Sequence, residues 1–463
     1  MYNEYDPYAP VYKAVNTDSP SEWDYKNDEK LLLYMSKEII LESDTEMRRR
    51  AELLGELQRI FVQWVKSVAI EEKKMPEEEA AEIGATLLIS GSHRLGIREP
   101  GADIDTICVA PDFCTRDNFF TSLKNKLLSH PDISQLNAIQ SARAPIIEFE
   151  FKGVNIDLLF ARLPTDIIPK DPDAYDDDKI LKNVDSATEI ILNGPRVTNM
   201  IYKLVERNSI HQKIRPECQS STNFQIVLRC VRKWAKRRAL YGNKFGYLGG
   251  INCNILVAFI CQLYPKASPT VLLQRFFRVY KDWEWGCEKP IMLNSIKENP
   301  PNETKIIWSR NTKDLMPMIT PAYPASNSSY TVSEFTLEIM KAEFSRGYDI
   351  VKTILCDNPT NDWNKLFESS DFFLKYHHYL RCNIIGIDDG IISRGWISYV
   401  EAKIRHMLRY ISNLPIKPIH FYPVVSRTSL SANSICYFIG FNIDKTRCRG
   451  NELRIDKGIK QFR

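Results

Sequence analysis

Three aspartates on short hydrophobic strands constrain this chain more than any other feature. Asp103 and Asp105 follow a Gly91-Ser92 turn and belong to a strand predicted over residues 102–109. Residues two apart in a strand point to the same face, about 6.6 Å apart at roughly 3.3 Å per residue. We therefore expect the two carboxylates to converge on one side of a sheet.

A third carboxylate, Asp157, interrupts an otherwise apolar strand predicted over residues 154–161. Val154, Ile156 and Leu158 share one face of this strand, which leaves Asp157 on the other face. Burying an unpaired carboxylate is costly, and three carboxylates at one sheet edge repel each other unless a cation lies between them. Mg2+ removes this conflict, since it prefers oxygen ligands and suits a site that substrate phosphates complete.

The aspartates therefore predict a two-metal centre for phosphoryl transfer. Asp103 and Asp105 would hold two ions about 3.5–4 Å apart, with Asp157 bound to one of them or accepting a hydroxyl proton. Gly91 would let the backbone approach phosphates, and Ser92 would donate to them. An Asp-x-Asp pair by itself is common in solvated turns, so the prediction depends on the turn and the third acid together.

Hydrophobic periodicity predicts an α/β multidomain chain. A small mixed sheet is predicted from strands at residues 85–89, 102–109, 145–151 and 154–161, with helices on either side. The last two strands are predicted to form a tight hairpin around Lys152 and Gly153. Residues 164–178, rich in Pro and Asp, are predicted to be a solvated linker, and mostly helical patterns follow it. The predicted limits are an N-terminal extension and helix at 1–49, a catalytic head at 50–165, a helical middle domain at 166–348 and an α+β domain at 349–463.

Charge is informative only locally, because the net charge is +4 over 463 residues. One predicted helix carries a basic run: Arg229, Arg232, Lys233, Lys236, Arg237 and Arg238. We predict phosphate binding by at least one member, foremost Arg232, against the alternative of a solvated helix face. Residues 445–463 carry seven lysines and arginines, which fits either contact with an RNA backbone or a solvated terminus.

Other classes of protein lack support in the sequence. The eleven cysteines include no Cys-x-x-Cys pair, so a zinc site is not predicted and reduced thiols are expected. The first residues are acidic and tyrosine-rich, unlike a secretory leader, and the apolar stretch at 255–261 is too short to span a bilayer. We expect a soluble intracellular protein that does not contact membranes.

Several runs resemble the eukaryotic poly(A) polymerases, members of the DNA polymerase β-like nucleotidyltransferase superfamily. The head contributes GSHRLG at residues 91–96 and GADIDTICVAP at 101–111. The later runs are LNGPRVT at 192–198, WAKRR at 234–238, LMPMITPAYP at 315–324 and WNKLF at 363–367. The resemblance extends from about residue 30 to 445 and implies a nucleotidyltransferase head, a helical middle domain and an RRM-like C-terminal RNA-binding domain.

The resemblance also implies roles for individual residues. Asp103, Asp105 and Asp157 would be the metal-binding catalytic triad, and Asn193 would contact the nucleotide sugar. The implied ATP site comprises these residues together with Ser90, Gly91, Ser92, Glu99, Ile104, Arg232, Tyr241, Gly250 and Ile251. The active site would lie in a cleft between the catalytic and RNA-binding domains.

The chain departs from the family's pattern at four positions: Ser90, Arg143, Glu148 and Arg232. Arg232 stands in place of a lysine that contacts the triphosphate, and its planar guanidinium has a different reach. Lys233 and Lys236 are alternative cations. The other three departures replace an aromatic residue in the first turn, and an aromatic residue and a lysine near the primer end.

The activity implied is template-independent addition of AMP from ATP to RNA 3′ ends in mRNA processing, with two Mg2+ or Mn2+ ions. A nuclear monomer that binds RNA, ATP and cleavage and polyadenylation factors is expected by the same resemblance. Two alternatives stay open: a terminal transferase with another nucleotide preference, such as a uridylyl- or CCA-adding enzyme, and an inactive RNA-binding scaffold. The intact set of three acids favours an active enzyme.

Overall fold

Two long helices, α1 (Glu22–Glu38) and α2 (Asp44–Glu71), lie before the head sheet, where the apolar periodicity of residues 29–69 predicts one helical pattern. Ser21 and Ser43 cap them by accepting hydrogen bonds from backbone N–H groups of the first turn. The computed structural model describes residues 13–39, 41–97, 99–140, 144–208, 222–293, 308, 312–356, 362–385, 391–411, 414, 416–427 and 434–443.

The head is built on a five-stranded mixed sheet with the order β1-β2-β5-β4-β3. Its elements are α3 (Glu77–Glu82), β1 (Thr86–Ile89), α4 (Gly91–Arg94), β2 (Ile104–Pro111), α5 (Arg116–Asn118), α6 (Lys124–Leu128), β3 (Ile133–Ile139), β4 (Ile146–Phe151) and β5 (Val154–Leu163). Strand β2 runs parallel to β5, and the other pairs are antiparallel. The sheet confirms the predicted mixed head, although β3 was not predicted.

The turn between β4 and β5 has the predicted tight form. Lys152 and Gly153 both have positive φ, 50° and 79°, which is typical of a two-residue hairpin loop. One face of the sheet packs on the apolar stripe of α2, whose buried members include Leu57, Phe61 and Trp64. The other face packs on the start of the next long helix through Ile191 and Leu192. The sheet is therefore covered on both faces, which leaves its edges and ends for chemistry.

The segment predicted as a solvated linker is only partly exposed. Asp171, Asp173 and Asp177 are exposed, as expected, but Tyr175 and Asp178 are buried. The buried carboxylate forms an ion pair with an arginine of the following helix. Ile168 is buried as well. The linker prediction is wrong for these three residues, because Ile168 and Tyr175 pack in the core between the head sheet and the following helix and Asp178 pairs with that helix.

The middle domain is mostly helical. Its elements are α7 (Ser186–Asn208), α8 (Asn223–Arg237), α9 (Gly250–Leu263), α10 (Pro269–Asp282), β6 (Ile291–Met292), β7 (Met318–Ile319) and α11 (Glu334–Leu355). Helix α9 is at its centre, since every residue from Asn252 to Leu263 is buried. Helix α1 packs against α10, where Asp28 accepts hydrogen bonds from Thr270.

The C-terminal part has the predicted α+β character. Its elements are α12 (Phe372–Lys375), β8 (His378–Ile385), α13 (Ile391–Ile411), β9 (Ile416–Arg427) and β10 (Ser434–Ile443). The described strands form a three-stranded antiparallel sheet in the order β8-β10-β9. An RRM has four strands, so the RRM-like type is not confirmed within the described residues. The sheet shares one hydrophobic core with the middle domain.

None of the helices described is both long enough and apolar enough to cross a membrane.

Candidate active site

The parallel pairing of β2 and β5 places Asp105 directly opposite Asp157. The same row of the sheet continues to Glu148 on β4 and Asn137 on β3. Asn137 Nδ2 donates a hydrogen bond to Glu148 Oε2 at 3.1 Å, whereas no side-chain donor of the described residues bonds to the carboxylate of either aspartate. Three carboxylates therefore follow one another across three neighbouring strands.

Burial and mutual repulsion act on these acids in the same direction. Burial, as the largest cause, and the charges of Asp105, Glu148 and Asp103 together raise the pKa of the Asp157 carboxyl to about 7. Burial also raises the pKa of Asp105, with Asp103 adding to the shift and Arg232 opposing it. Burial and mutual repulsion therefore make the ionised carboxylates unfavourable, and a bound cation would remove this penalty.

Asp103 lies just outside the strand on which it was predicted. Strand β2 begins at Ile104, so Asp103 is the exposed residue that precedes it. A buried arginine of α2, Arg50, donates to the carbonyl oxygen of Ala102 at 2.7 Å. This contact holds the segment that carries Asp103 against the head.

The turn after β1 approaches Asp105 closely. Gly91 has φ +67°, and a Cβ built on it would lie 2.2 Å from Asp105 Oδ2. The N–H of Ser90 donates to the carbonyl oxygen of Asp105 at 3.0 Å. Only glycine therefore fits at position 91. The phosphate contact predicted for the side chain of Ser92 lies outside the described side chains.

The basic run on α8 does not act as one surface. Arg229 donates to the carbonyl oxygen of Gly96 at 3.0 Å, and Lys233 to that of Glu38 at 2.6 Å. Arg237 and Arg238 bind the carbonyl oxygens of residues 367–369, and Arg238 also pairs with Glu343 and Asp371.

The other two members, Arg232 and Lys236, face Tyr241 and Glu99. Arg232 donates to the Tyr241 hydroxyl at 3.3 Å, and the Lys236 ammonium lies 5.4 Å from the centre of the Tyr241 ring. Both cations pair with Glu99. The choice of Arg232 as the phosphate-facing member of the run agrees with this placement, since Arg232 alone of the six lines the cavity described next.

A cavity of about 870 Å³ lies between the head and the middle domain. Ser90, Gly91 and Asp105 line it from the head. Its middle-domain lining includes Asn193, Arg232, Tyr241, Gly250 and Ile251. Eight residues predicted for one site thus meet around one space, whose size is ordinary for a ligand pocket.

Other predicted residues are placed differently. The side chain of Ile104 is fully buried in the core between the sheet and α2, so a nucleotide contact there would involve its backbone. Glu99 contacts the lining residue Arg232. Arg143 and the basic segment 445–463 lie outside the described residues.

One wall of the cavity was not predicted from the sequence. Ser326, Asn327, Ser328 and Tyr330 line it, together with Asn243 and Asn254. Hydrogen bonds fix this wall: Asn243 Nδ2 donates to the Ser328 carbonyl oxygen, and Ser328 Oγ donates to that of Met318. In sequence, these residues have the composition of an ordinary polar turn. Only the neighbouring run at 315–324 indicated that they lie near the site.

A second group of potential metal ligands lies elsewhere in the head. Ligand atoms of Glu56, His130 and Asp132 lie within 4.8 Å of one another. However, Lys152 Nζ is 2.5 Å from Glu56 and 3.8 Å from Asp132, so a cation of the chain already neutralises this group. Among the described residues, Arg232 is the one cation that lowers the pKa of Asp105, and the row of Asp105 and Asp157 fits a divalent ion better.

Two family models match the chain in succession. Residues 11–205 match the poly(A) polymerase nucleotidyltransferase domain, and residues 223–369 match the poly(A) polymerase central domain. Asp103, Asp105 and Asp157 fall in the first match, and Arg232, Tyr241 and Gly250 fall in the second.

Curated relatives match over most of the chain. A nuclear poly(A) polymerase 1 of Arabidopsis thaliana is 40% identical over 98% of this chain and 62% of its own length. A poly(A) polymerase of Dictyostelium discoideum is 36% identical over 98% of this chain and 55% of its own. The poly(A) polymerase PAPalpha of Candida albicans is 34% identical over 86% of this chain and 68% of its own. The chain thus spans about half to two thirds of the length of these relatives.

Proposed function

Because the chain belongs to the poly(A) polymerase family, we propose that it adds AMP from ATP to RNA 3′ ends without a template. The observation that carries the proposal is the register pairing of Asp105 with Asp157. Asp105 also lies against the Gly91 turn and lines the cavity that the predicted middle-domain residues line. Relatives 34–40% identical to the chain bear the name poly(A) polymerase.

Asp103, Asp105 and Asp157 are proposed to hold two divalent ions, Mg2+ or Mn2+. Their fit rests on the raised pKa values of Asp105 and Asp157, which reflect crowded carboxylates in need of a counter-charge. When bound, such ions activate an attacking hydroxyl and neutralise charge on a triphosphate and its leaving pyrophosphate.

Residues of the middle domain are proposed to bind the nucleotide. Arg232, only 7% exposed and in contact with Tyr241, supplies a fixed positive charge for the triphosphate. Gly250 and Ile251 begin α9, where free backbone N–H groups favour an anion.

Asn193 is proposed to bind the ribose. Its Nδ2 donates to the Pro324 carbonyl oxygen at 3.3 Å. Its Oδ1 is buried and accepts no hydrogen bond from the described residues, so it is available to a sugar hydroxyl.

The C-terminal unit, over the predicted limits 349–463 and of the RRM-like type, is proposed to hold the RNA. Trp396 and Tyr399 are exposed on α13 and stacked, with ring centres 6.0 Å apart. Lys403 Nζ lies 5.5 Å from the centre of the Tyr399 ring. Aromatic faces beside a cation suit single-stranded RNA, whose bases stack and whose backbone is anionic.

Location and partners are proposed from the relatives. The Arabidopsis relatives carry the word nuclear in their names, which supports a nuclear site of action. Cleavage and polyadenylation factors would then be the protein partners, with the chain acting as a monomer.

Primer extension tests the proposal. A 5′-labelled oligo(A) RNA is incubated with each of the four NTPs in turn, in Mg2+ and in Mn2+, with wild type and Asp157→Ala. A ladder with ATP alone that is absent in the variant is the expected result. A ladder with UTP or CTP would keep the chemistry and overturn the substrate, and no ladder with any nucleotide would favour an RNA-binding scaffold.

A further inference from the structure

The loop between α4 and β2 is fastened to one face of α8. Gln225 Nε2 donates to the carbonyl oxygen of Leu95 at 2.9 Å, and Arg229 donates to that of Gly96 at 3.0 Å. Leu95 is also buried in the core of the middle domain. This loop of the head is therefore positioned by the middle domain.

In the middle of this loop, the Glu99 carboxylate binds two cations of the same helix face. Glu99 Oε1 lies 3.3 Å from Arg232 Nε, and Glu99 Oε2 lies 2.5 Å from Lys236 Nζ. Residues 225, 229, 232 and 236 are three or four apart, so all four contacts lie along one side of α8. The carboxylate thus joins the head to the side of the middle domain that faces the cavity.

The partners of Glu99 differ in their freedom to move. The side chain of Arg232 is 9% exposed and is also tied to the Tyr241 hydroxyl. The side chains of Glu99 and Lys236 are 28% and 45% exposed. If a second anion reaches Arg232, the carboxylate is the group that can turn into solvent, because water then hydrates its charge.

A nucleoside triphosphate is such an anion, and it requires the same cations. Four of the six basic residues on α8 and at its C-cap, Arg238, are engaged with other parts of the chain. Within the part of the chain that the structure describes, Arg232 is the cation that lines the cavity. The Arg232 guanidinium cannot donate its full set of charge-assisted hydrogen bonds to a phosphate group and to Glu99 at the same time.

We propose that the Glu99 carboxylate competes, within the chain, with the triphosphate for Arg232 and Lys236. The triphosphate displaces the carboxylate when it binds to these cations. This inference rests on the proposed function, since it assigns the triphosphate to that cavity. The competition lowers the affinity for the incoming nucleotide. It also favours release of pyrophosphate, because the carboxylate returns to the two cations as the product leaves.

A purely structural ion pair between head and middle domain predicts the opposite effect. In that case, loss of the Glu99 charge would loosen the loop and weaken nucleotide binding together with stability. Competition predicts tighter binding of any polyphosphate, with or without a base and sugar. The two hypotheses therefore predict opposite changes in polyphosphate affinity when the Glu99 charge is removed.

The test is binding of inorganic tripolyphosphate and of ATP with Mg2+ to the full chain, measured by calorimetry. We expect Glu99→Gln to bind both probes about three- to tenfold more tightly, the scale of a partly exposed ion pair. Inhibition of primer extension by pyrophosphate should strengthen by a similar factor. Glu189→Gln removes the same charge from another part of the cavity lining and should have a smaller effect.

A double-mutant cycle assigns the effect to the two cations. In an Arg232→Met, Lys236→Met background, Glu99→Gln should change tripolyphosphate affinity by less than about twofold. The inference is overturned if Glu99→Gln binds both probes with the same affinity as wild type or more weakly. It is also overturned if the gain in affinity from Glu99→Gln persists in the Arg232→Met, Lys236→Met background. A chain that binds tripolyphosphate as expected but extends no primer would contradict the proposed function and leave the competition supported.

Discussion

Asp105 and Asp157 are register partners on the parallel strands β2 and β5, and their carboxylates share one row of the head sheet with Glu148. Neither acid has a lysine or arginine within ion-pair distance among the described residues, and burial raises the pKa of both. The arrangement is unfavourable for folding, and the proposed metal ions would relieve it. The following predictions depend on this relationship and on the packing around it.

Replacing Asp157 by Asn should abolish activity without loss of stability. Extension should fall by at least about 100-fold because a metal ligand is lost. The melting temperature measured in EDTA should be equal or higher, because a repulsive buried charge has been removed. Glu148→Gln removes a charge from the same row and should reduce extension by less than about tenfold. An active Asp157→Asn enzyme, or one that melts well below wild type, would contradict the assignment.

Replacing Gly91 by Ala should disrupt the site through a steric clash. The new Cβ would lie 2.2 Å from Asp105 Oδ2, so the turn or the carboxylate must move, and extension should fall by at least about 100-fold. Gly101→Ala is the matched control, because Gly101 has φ +70° but no atom within 4 Å of its Cβ position. It should cost about 1 kcal/mol of stability and retain most activity. Equal losses in the two variants would show that backbone strain alone is responsible.

Replacing Arg196 by Met should destabilise the chain strongly. Arg196 is 1% exposed, pairs with buried Asp178, and donates to the carbonyl oxygen of Tyr175 at 2.9 Å. Removing it leaves a buried carboxylate without its counter-charge, which costs about 3–5 kcal/mol. Urea unfolding measures this change. Adding Asp178→Asn should recover part of the loss, and a double variant no more stable than the single one would show that the carbonyl contacts dominate.

Asp28 should make stability fall as the pH rises from about 4 to 7. Burial raises the pKa of Asp28 to about 6, against the hydrogen bonds from Thr270 and Ser268. The folded state therefore holds this proton more tightly than the unfolded state, whose pKa is near its ordinary value of 3.8. The resulting stabilisation is complete below about pH 4 and is lost as the pH rises through 6.

The measurement is the difference in the free energy of unfolding between wild type and Asp28→Asn, which cannot titrate at this position. Between pH 4 and pH 7, the free energy of unfolding of wild type should fall by up to about 3 kcal/mol relative to that of Asp28→Asn. All other titrating groups cancel in the difference. A difference that does not vary with pH would mean that Asp28 has the same pKa in both states.

Much of the fold followed from local patterns. Strands β2 and β5 lie within a few residues of where periodicity predicted them, whereas the helical pattern of residues 29–69 is divided between α1 and α2. The predicted nucleotidyltransferase head, helical middle domain and α+β end are confirmed by the folded elements and the family matches. The RRM-like type, the domain limits and the roles of individual site residues stay predictions.

The missed elements lacked a local signal. Strand β3 lies at the edge of the sheet, and a register irregularity between Ser134 and Asn137 breaks its alternation, so its period-2 pattern is weak. Residues 326–330 became a cavity wall only because hydrogen bonds to Met318 and Asn243 hold them there. Neither feature could be recognised from the order of residues alone.

By itself, the sequence determined which residues carry the charge and which segments bury their apolar faces, because these properties depend on residue type and on spacing along the chain. It supplied Asp103, Asp105 and Asp157, the Gly91 turn and the hairpin at Gly153. Only the tertiary structure decided that β2 pairs in parallel with β5, so that Asp105 meets Asp157. It alone brought Glu99 to Arg232, because contacts between distant segments depend on how the packed elements fit together, which no local pattern encodes.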